Sequence, residues 1–467
     1  MKTLSIWAAT ACLVLTISGC GGDDGSAAPV SAPNVVADTQ AAATTAIKDA
    51  GLTLGTVTMQ SSNSVALGDV ISESPAAGTS VAKGAAVNLV ISSGPATVAV
   101  PNVAGDTQAA ATTAITGAGL KVGTVTQGFS STLSAGSVMS LNPAAGTAVA
   151  PGSVVNLVVS STFAALSATM VSPRAGHTAT LLNSGDVILM GGDDKFPSTG
   201  TTYATAELYN PTADTFTAVS ASMTTAREDF ASALLPNGQV LLTGGFNNNS
   251  SDLDTAELYD PVAGTFTALN AVMTSPRSSH TATLLQSGKV LITGGSDQSG
   301  TTLNSAELYD PVAQSFTAMT ATLTTGRQGH TATLLSDGTV LLTGGFDPSK
   351  NNLNTAEIYD PVANTFTALS ATMTTARTFH QAALLANGQV LITGGGSGPE
   401  ALGSFTMLDT IEVYDPTTKT FTGVIATLAV PRAGHTETLL PGGQILITGG
   451  NSNTSSPALA TAEQSAP

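Results

Sequence analysis

The stretch Arg327-Gln328-Gly329-His330-Thr331-Ala332-Thr333-Leu334-Leu335-Ser336-Asp337-Gly338-Thr339-Val340-Leu341-Leu342-Thr343-Gly344-Gly345 decides the fold. A loop follows it, then Ala356-Glu357-Ile358-Tyr359-Asp360-Pro361 and Thr365-Phe366-Thr367-Ala368. Two short apolar runs flank Asp337-Gly338, which reads as a tight hairpin turn. Asp360-Pro361 starts a second turn, between a third strand and a fourth. The stretch therefore predicts one four-stranded antiparallel unit.

The same order recurs from about residue 162 to the end, with a period near 50. Its Gly-Gly pairs stand at Gly191-Gly192, Gly244-Gly245, Gly294-Gly295, Gly344-Gly345, Gly394-Gly395 and Gly449-Gly450. Ser287-Gly288 and Asn387-Gly388 repeat the hairpin turn, and Asp260-Pro261 and Asp310-Pro311 repeat the second turn. Six such units predict a six-bladed β-propeller. The sixth unit has two strands (His435 to Leu440 and Gln444 to Thr448), a truncated third (Thr461-Ala462-Glu463) and no Thr-Phe-Thr strand. Ser161-Thr162-Phe163-Ala164-Ala165-Leu166 matches the missing strand. Residues 161–166 are therefore expected to complete the last blade. Phe163 would be buried like Phe216, Phe266, Phe316, Phe366 and Phe421. Closure removes the open edges that template aggregation. The pattern resembles kelch repeats, closest to the galactose-oxidase-like propellers, over about two thirds of the chain.

A second repeat system, with a period of 68 residues, precedes the first. Pro33-Asn34-Val35 recurs as Pro101-Asn102-Val103, Asp38 to Ile47 as Asp106 to Ile115, and Val87 to Ser92 as Val155 to Ser160. Asp38 or Thr39 can cap a helix over Gln40 to Ala50 that Gly51 ends. Leu52 to Thr58 and Val87 to Ser92 alternate like strands. The Pro-x-Val start, the Ala-Gly-Leu after the helix, the Pro-Ala-Ala-Gly-Thr turn and the closing Val-x-Leu-x-Val strand resemble the PASTA domain. That resemblance implies two small α+β domains, at 33–94 and 101–160. Some family members bind peptidoglycan fragments and others act as spacers.

Lys2, the apolar run Leu4 to Ile17 and the end Ile17-Ser18-Gly19-Cys20 read as a signal peptide over 1–19. The end resembles a bacterial lipobox, which implies acylation at Cys20 and a flexible tether over 20–32. Cys12 leaves with the signal, so no disulfide is expected. Net charge is −17 for the chain, and −18 once Lys2 is gone. An acidic chain with 4% aromatic residues does not have the clustered cations that nucleic acid requires. Mean hydropathy of +0.25 argues for a packed chain rather than a disordered one.

The polar residues repeat with the units. All six arginines (Arg174, Arg227, Arg277, Arg327, Arg377, Arg432) share one position, and all five histidines (His177, His280, His330, His380, His435) lie three residues further on. Phe230 takes the His position in the second unit, a change that looks isolated and fits a packing role. One His per blade spreads around a ring, whereas a metal needs ligands about 2 Å from one point. The arginines have two readings. They are an anion-binding ring, or they pair with Glu207, Glu257, Glu307, Glu357, Glu412 and Glu463 as staples between strands one and three, which the spacing favours.

No catalytic triad, zinc motif, phosphate loop or copper ligand set is legible, and Asp193-Asp194 does not have calcium-loop spacing. The variable loops after Gly-Gly (Asp193 to Thr205, Phe246 to Thr255, Gly396 to Thr410) are where binding would reside.

These features imply a lipid-anchored cell-envelope binding or adhesion protein whose propeller recognises a glycan or a protein. The alternatives are a carbohydrate-active enzyme of the galactose oxidase type, disfavoured for want of copper ligands, and a structural spacer. No enzyme activity, cofactor or nucleic-acid partner is expected. Gly21 rather than Asp after Cys20 favours the outer membrane. Weak or no peptidoglycan binding is expected of residues 30–160, with Lys48, Lys83 and Lys121 as their basic residues and Phe129 as the aromatic able to stack on a sugar. Removing 30–158 should leave the propeller folded.

Overall fold

The computed structural model describes residues 28–195, 200–247, 251–398, 405–453 and 456–466. The signal segment, Cys20 and the start of the tether lie outside the described residues. The chain divides into two compact units, the first ending at Val98 and the second starting at Ala99.

In the first unit, helix Gln40–Asp49 begins where the Thr39 side chain accepts a hydrogen bond from the Ala42 N–H at 3.3 Å. Of the two candidate caps, Thr39 therefore does the capping. Gly51, at φ +74°, takes the left-handed position that ends the helix. The helix buries Ala43 and Ile47 against a three-stranded sheet ordered Thr53–Gln60, Ala86–Ser92, Val70–Ser74. The second unit opens with the same arrangement: helix Gln108–Gly117, then a sheet ordered Lys121–Gly128, Val154–Ser160, Val138–Asn142.

Six four-stranded antiparallel sheets follow among the described residues. The fourth contains Thr331–Leu334, Val340–Thr343, Thr355–Asp360 and Thr365–Thr372. Its second strand is buried at every position, and so are its five equivalents, which explains their unbroken apolar runs. Each first strand neighbours the first strands of the sheets before and after it, and the first sheet meets the sixth. The domain is a β-propeller.

One loop of backbone hydrogen bonds runs around the ring's mouth. Gly176, Asp229, Ser279, Gly329, Phe379 and Gly434 each donate an N–H to the carbonyl of the preceding member, with Gly176 donating to Gly434, at 2.7–2.9 Å. All six have positive φ, from +50° to +64°.

The Gly-Gly pairs lock neighbouring sheets together. Gly345 N–H donates to Arg377 O at 2.9 Å, and a Cβ on Gly344 would lie 2.5 Å from that same carbonyl. Any side chain there would push the sheets apart.

The sixth sheet is completed by Thr162–Thr169, which pairs with Thr461–Ala466 through Phe163↔Ser465. The third strand is thus full length rather than truncated at Glu463. The closing strand also runs three residues beyond Leu166.

This sheet differs from the others in one aromatic contact. In five sheets the fourth-strand Phe packs on a third-strand Tyr, as Tyr359 does on Phe366, with ring centroids 4.7–4.8 Å apart. In the sixth, Ser465 holds the Tyr position. Phe163 instead stacks on Phe129, which comes from the PASTA-like segment just before it, at 5.6 Å and 15°. Ser465 Oγ donates to Gln127 Oε1 at 2.6 Å, and Ile425 N–H donates to Ser130 O at 3.1 Å. Phe129 is 4% exposed and packs with Phe163, Leu391, Ile445 and Ile447. The expectation that Phe129 stands ready to stack on a sugar is therefore wrong, because it fills the place of a missing tyrosine.

Candidate ligand cavity at the mouth of the ring

The structure places all six arginines inside the sheets, at most 1% exposed. Each forms an ion pair with the Glu of its own unit at 2.7–3.0 Å. Arg327 also donates to Gly344 O, Thr355 O and Thr355 Oγ1, while Glu357 Oε2 accepts the Thr324 N–H at 2.7 Å. These guanidiniums present no surface to an external anion, so the anion-ring reading fails on burial. The pairs tie the segment before strand one to strand three.

The histidines are equally enclosed. Each Nε2 meets a Thr hydroxyl of the preceding sheet at 2.9–3.1 Å: His177 with Thr448, His280 with Thr243, His330 with Thr293, His380 with Thr343 and His435 with Thr393. Burial, and then the charge of the neighbouring arginine, push the imidazoles below their ordinary range, to about 3 for His330 and His435. They stay neutral as interblade bonds.

The boundary of the first and second units breaks this pattern twice. Phe230 replaces His, and Met190 stands where the partner Thr would be. Both lie in one apolar cluster with Met223. The Phe230 change is therefore not isolated: a polar interblade contact has become an apolar one through two linked replacements.

The second unit carries Glu228-Asp229 between Arg227 and Phe230, where the others have Ala, Gly, Ser, Gln, Thr or Phe. The fold brings Glu228 into side-chain hydrogen-bond contact with Asp193, which follows the Gly-Gly pair of the first unit. Asp193 is 3% exposed and Glu228 5%. Burial first, and the Asp229 charge second, raise both carboxyls far above their usual range, so the pair retains a shared proton where exposed carboxyls are ionised.

Both residues line a cavity of about 310 Å³. Its walls include Asp229, Asp252 and Asp297, together with Phe246 and Phe379. Among the described residues, no Lys, Arg or His lines it. Of the six ring residues at the mouth, three have side chains, Asp229, Ser279 and Phe379, and all three line this cavity. Each keeps a left-handed backbone that glycine takes without cost. Among the described residues no group of three or more His, Cys, Asp or Glu side chains is arranged to hold a metal ion. Sequence reasoning set Asp193 aside as a loop residue and passed over Glu228. The signal that could have found them is departure from the repeat: the second unit is the one that substitutes two adjacent acids.

Comparisons with known proteins agree with this architecture. Residues 240–465 match the family model of the Attractin/LZTR1 beta-propeller, and residues 30–93 and 98–161 match the PASTA domain. The chain thus carries two PASTA domains and a kelch-type β-propeller. A probable serine/threonine-protein kinase of Corynebacterium efficiens is 36% identical over 157 residues, covering 32% of this chain and 24% of that protein. One from Clostridium acetobutylicum is 40% identical over 92 residues, covering 19% of this chain and 14% of that protein. The chain thus spans about a quarter or less of the length of these curated relatives. The solved structure of YjhT superposes with a TM-score of 0.54 at 15% identity, covering 63% of this chain and 95% of YjhT, a likeness of fold.

Proposed function

We propose that this chain is a lipid-anchored binding protein of the bacterial cell envelope, without enzymatic activity. In this reading Cys20 carries the lipid, most simply in the outer membrane, and no other anchor is needed. The six sheets are the six blades of one closed ring, and the ring's mouth is the ligand face. The PASTA domains serve as spacers, with weak contact to peptidoglycan at most.

The observation that carries the reading is the asymmetry at the mouth. Five units use small or neutral residues and His–Thr contacts, while the second unit places Glu228 and Asp229 in a cavity, lined mostly by the second and third units, that gathers carboxylates and aromatic rings. A ring serving only as a spacer has no need of such a departure. The histidines support a binding role over oxidase chemistry, because each already bonds a threonine across a blade boundary.

The test is a glycan, peptidoglycan-fragment and small-molecule binding screen on the full chain, with membrane fractionation of Cys20→Ser. The reading expects a ligand lost on blocking the mouth, and release of the variant from the membrane. Retention of the variant in the membrane would refute the anchor, and silence across the screen would favour the spacer alternative.

A further inference from the structure

We propose that the boundary between the first and second sheets is a pH-sensitive seam in the ring: Asp193 and Glu228 clasp the two sheets at the mouth through one hydrogen bond between their carboxyls, and alkaline pH releases that clasp. The inference concerns the ring itself and does not depend on what the mouth binds.

Geometry singles out this boundary. At each of the other five, a histidine Nε2 meets a threonine hydroxyl of the preceding sheet. Burial holds those imidazoles neutral, so their bonds do not change between neutral and alkaline pH. Here Met190 and Phe230 take both places, and the carboxyl pair links the sheets at the mouth instead. Each partner is anchored in its own unit by backbone bonds. Asp193 exchanges two with Ala175, at 2.9 and 3.0 Å, and Glu228 exchanges two with Phe246, at 2.7 and 3.0 Å. A change in the pair therefore acts on the boundary. Further along the first strands, Thr180 Oγ1 and Ser232 Oγ also bond across it at 2.9 Å, and neither titrates.

The clasp needs its proton. The hydrogen bond favours ionised Asp193 and protonated Glu228, so Glu228 is the donor. Once that proton leaves, two buried carboxylates face each other with no donor between them. Among the described residues that line the cavity there is no cation to replace it. Asp194 and Asp229 add negative charge at both carboxyls, Tyr203 lies near Asp193, and Asp252 and Asp297 share the cavity. Asp229 accepts from Ser279 Oγ of the third unit at 3.3 Å. Arg174 and Arg227 are held by Glu207 and Glu257, Lys195 is exposed and gives Asp193 its backbone N–H, and His177, packed beside Gly192, is neutral. The folded chain thus keeps a proton that the unfolded chain releases in the ordinary carboxylate range. The clasp is closed in neutral solution and lost as pH rises through the raised value. Glu437, at the boundary of the fifth and sixth sheets, is the contrast. Burial raises it too, but it accepts from Thr393 Oγ1 at 2.6 Å and keeps accepting once ionised.

The test is hydrogen exchange of the full chain, read by mass spectrometry as protection factors at pH 6 and pH 9.5. Two amide bonds cross the seam, Gly192 N–H to Arg227 O and Asp229 N–H to Gly176 O, both at 2.8 Å. Their counterparts between the third and fourth sheets are Gly295 N–H to Arg327 O and Gly329 N–H to Ser279 O, also at 2.8 Å. The expected result is that protection of segments carrying Gly192 and Asp229 falls about tenfold or more at the higher pH, while segments carrying Gly295 and Gly329 stay within about twofold. The Asp193→Asn/Glu228→Gln double variant replaces the pair by two amides that bond without an ionisable proton, and its protection at the seam should not change with pH. Asp193→Asn alone, whose amide donates to Glu228 in either protonation state, should give the same flat response. Glu437→Gln should leave the fall at the seam as in the wild type. An equal fall at both boundaries would overturn the proposal as general alkaline loosening. So would unchanged protection at the seam, or a fall that persists in the double variant.

Discussion

The two PASTA domains share most of their sequence and the same fold, yet one stands as its own compact unit and the other is built into the propeller. They share the Thr cap, the buried Ala and Ile on the helix and the three-stranded sheet. They part at the end of one strand. Met59-Gln60-Ser61-Ser62 in the first becomes Gln127-Gly128-Phe129-Ser130 in the second. Both Ser62 and Ser130 use their hydroxyls to shape the same turn, accepting from Val65 N–H and Leu133 N–H. Three residues differ there, and two of them, the Phe129 ring and the Gln127 acceptor amide, lie where the sixth sheet has a serine instead of a tyrosine. Recruitment of a repeat into a larger core thus required a few residues and no change of fold.

The largest expected effect contrasts two deletions. Removing 30–97 should leave the melting temperature of the remainder within a degree or two. Removing 30–158 takes away Phe129, Gln127 and Ser130 and exposes one face of the sixth sheet. It should lower the melting temperature by about 5 °C or more and promote association, given several kcal/mol of lost burial. The expectation from sequence, that the propeller stays folded without 30–158, is thereby narrowed to a propeller that folds with lower stability. Calorimetry and light scattering on the two deletions decide it.

Phe129→Ala should reproduce much of that loss in a single residue, about 3–5 kcal/mol. Ser61→Ala, at the matching position of the first domain, should stay within about 0.5 kcal/mol, as exposed substitutions do. Chemical denaturation of both variants sharpens the contrast, and equal effects would break it.

Ser465→Tyr restores the missing tyrosine. In the intact chain it collides with the space that Phe129 fills and should cost about 1–3 kcal/mol. Combined with Phe129→Ala it should recover stability relative to either single variant, giving a favourable coupling in a double-mutant cycle. Additive losses would show that Phe129 and the tyrosine position are unrelated.

The smallest effect is a pH slope. Glu437 lines the central channel where other blades carry Ala or Ser, and its carboxyl accepts from Thr393 Oγ1 at 2.6 Å. Burial raises its pKa from 4.5 to about 8. The folded chain therefore keeps a proton that the unfolded chain releases, and stability falls as pH rises through that window. Glu437→Gln should flatten this decline, read as the difference in denaturation midpoint between pH 5 and pH 9.

Much of the fold was legible because repeats report their own period. The Gly-Gly pairs, the Arg and Glu positions and the duplicate strand around Phe163 each recur, so one unit explains all. What escaped is what does not recur. Phe129 read as a free aromatic because its partner Phe163 lies 34 residues away, and the neighbouring Gln127–Ser465 contact spans 338, with no local pattern to link them. The Asp193–Glu228 contact crosses a blade boundary and 35 residues of chain. The Met190 and Phe230 replacements are visible in the sequence, but they gain meaning only once the blades are set side by side.

The central claim is that the second PASTA domain and the propeller are one folding unit closed around the ring. Differential scanning calorimetry of the full chain, with hydrogen exchange reporting on the two helices, tests it most directly. The account predicts that helix Gln108–Gly117 loses protection together with the propeller strands in one transition, while helix Gln40–Asp49 melts separately. Loss of protection in the second helix ahead of the propeller, at the temperature where the first helix melts, would contradict it.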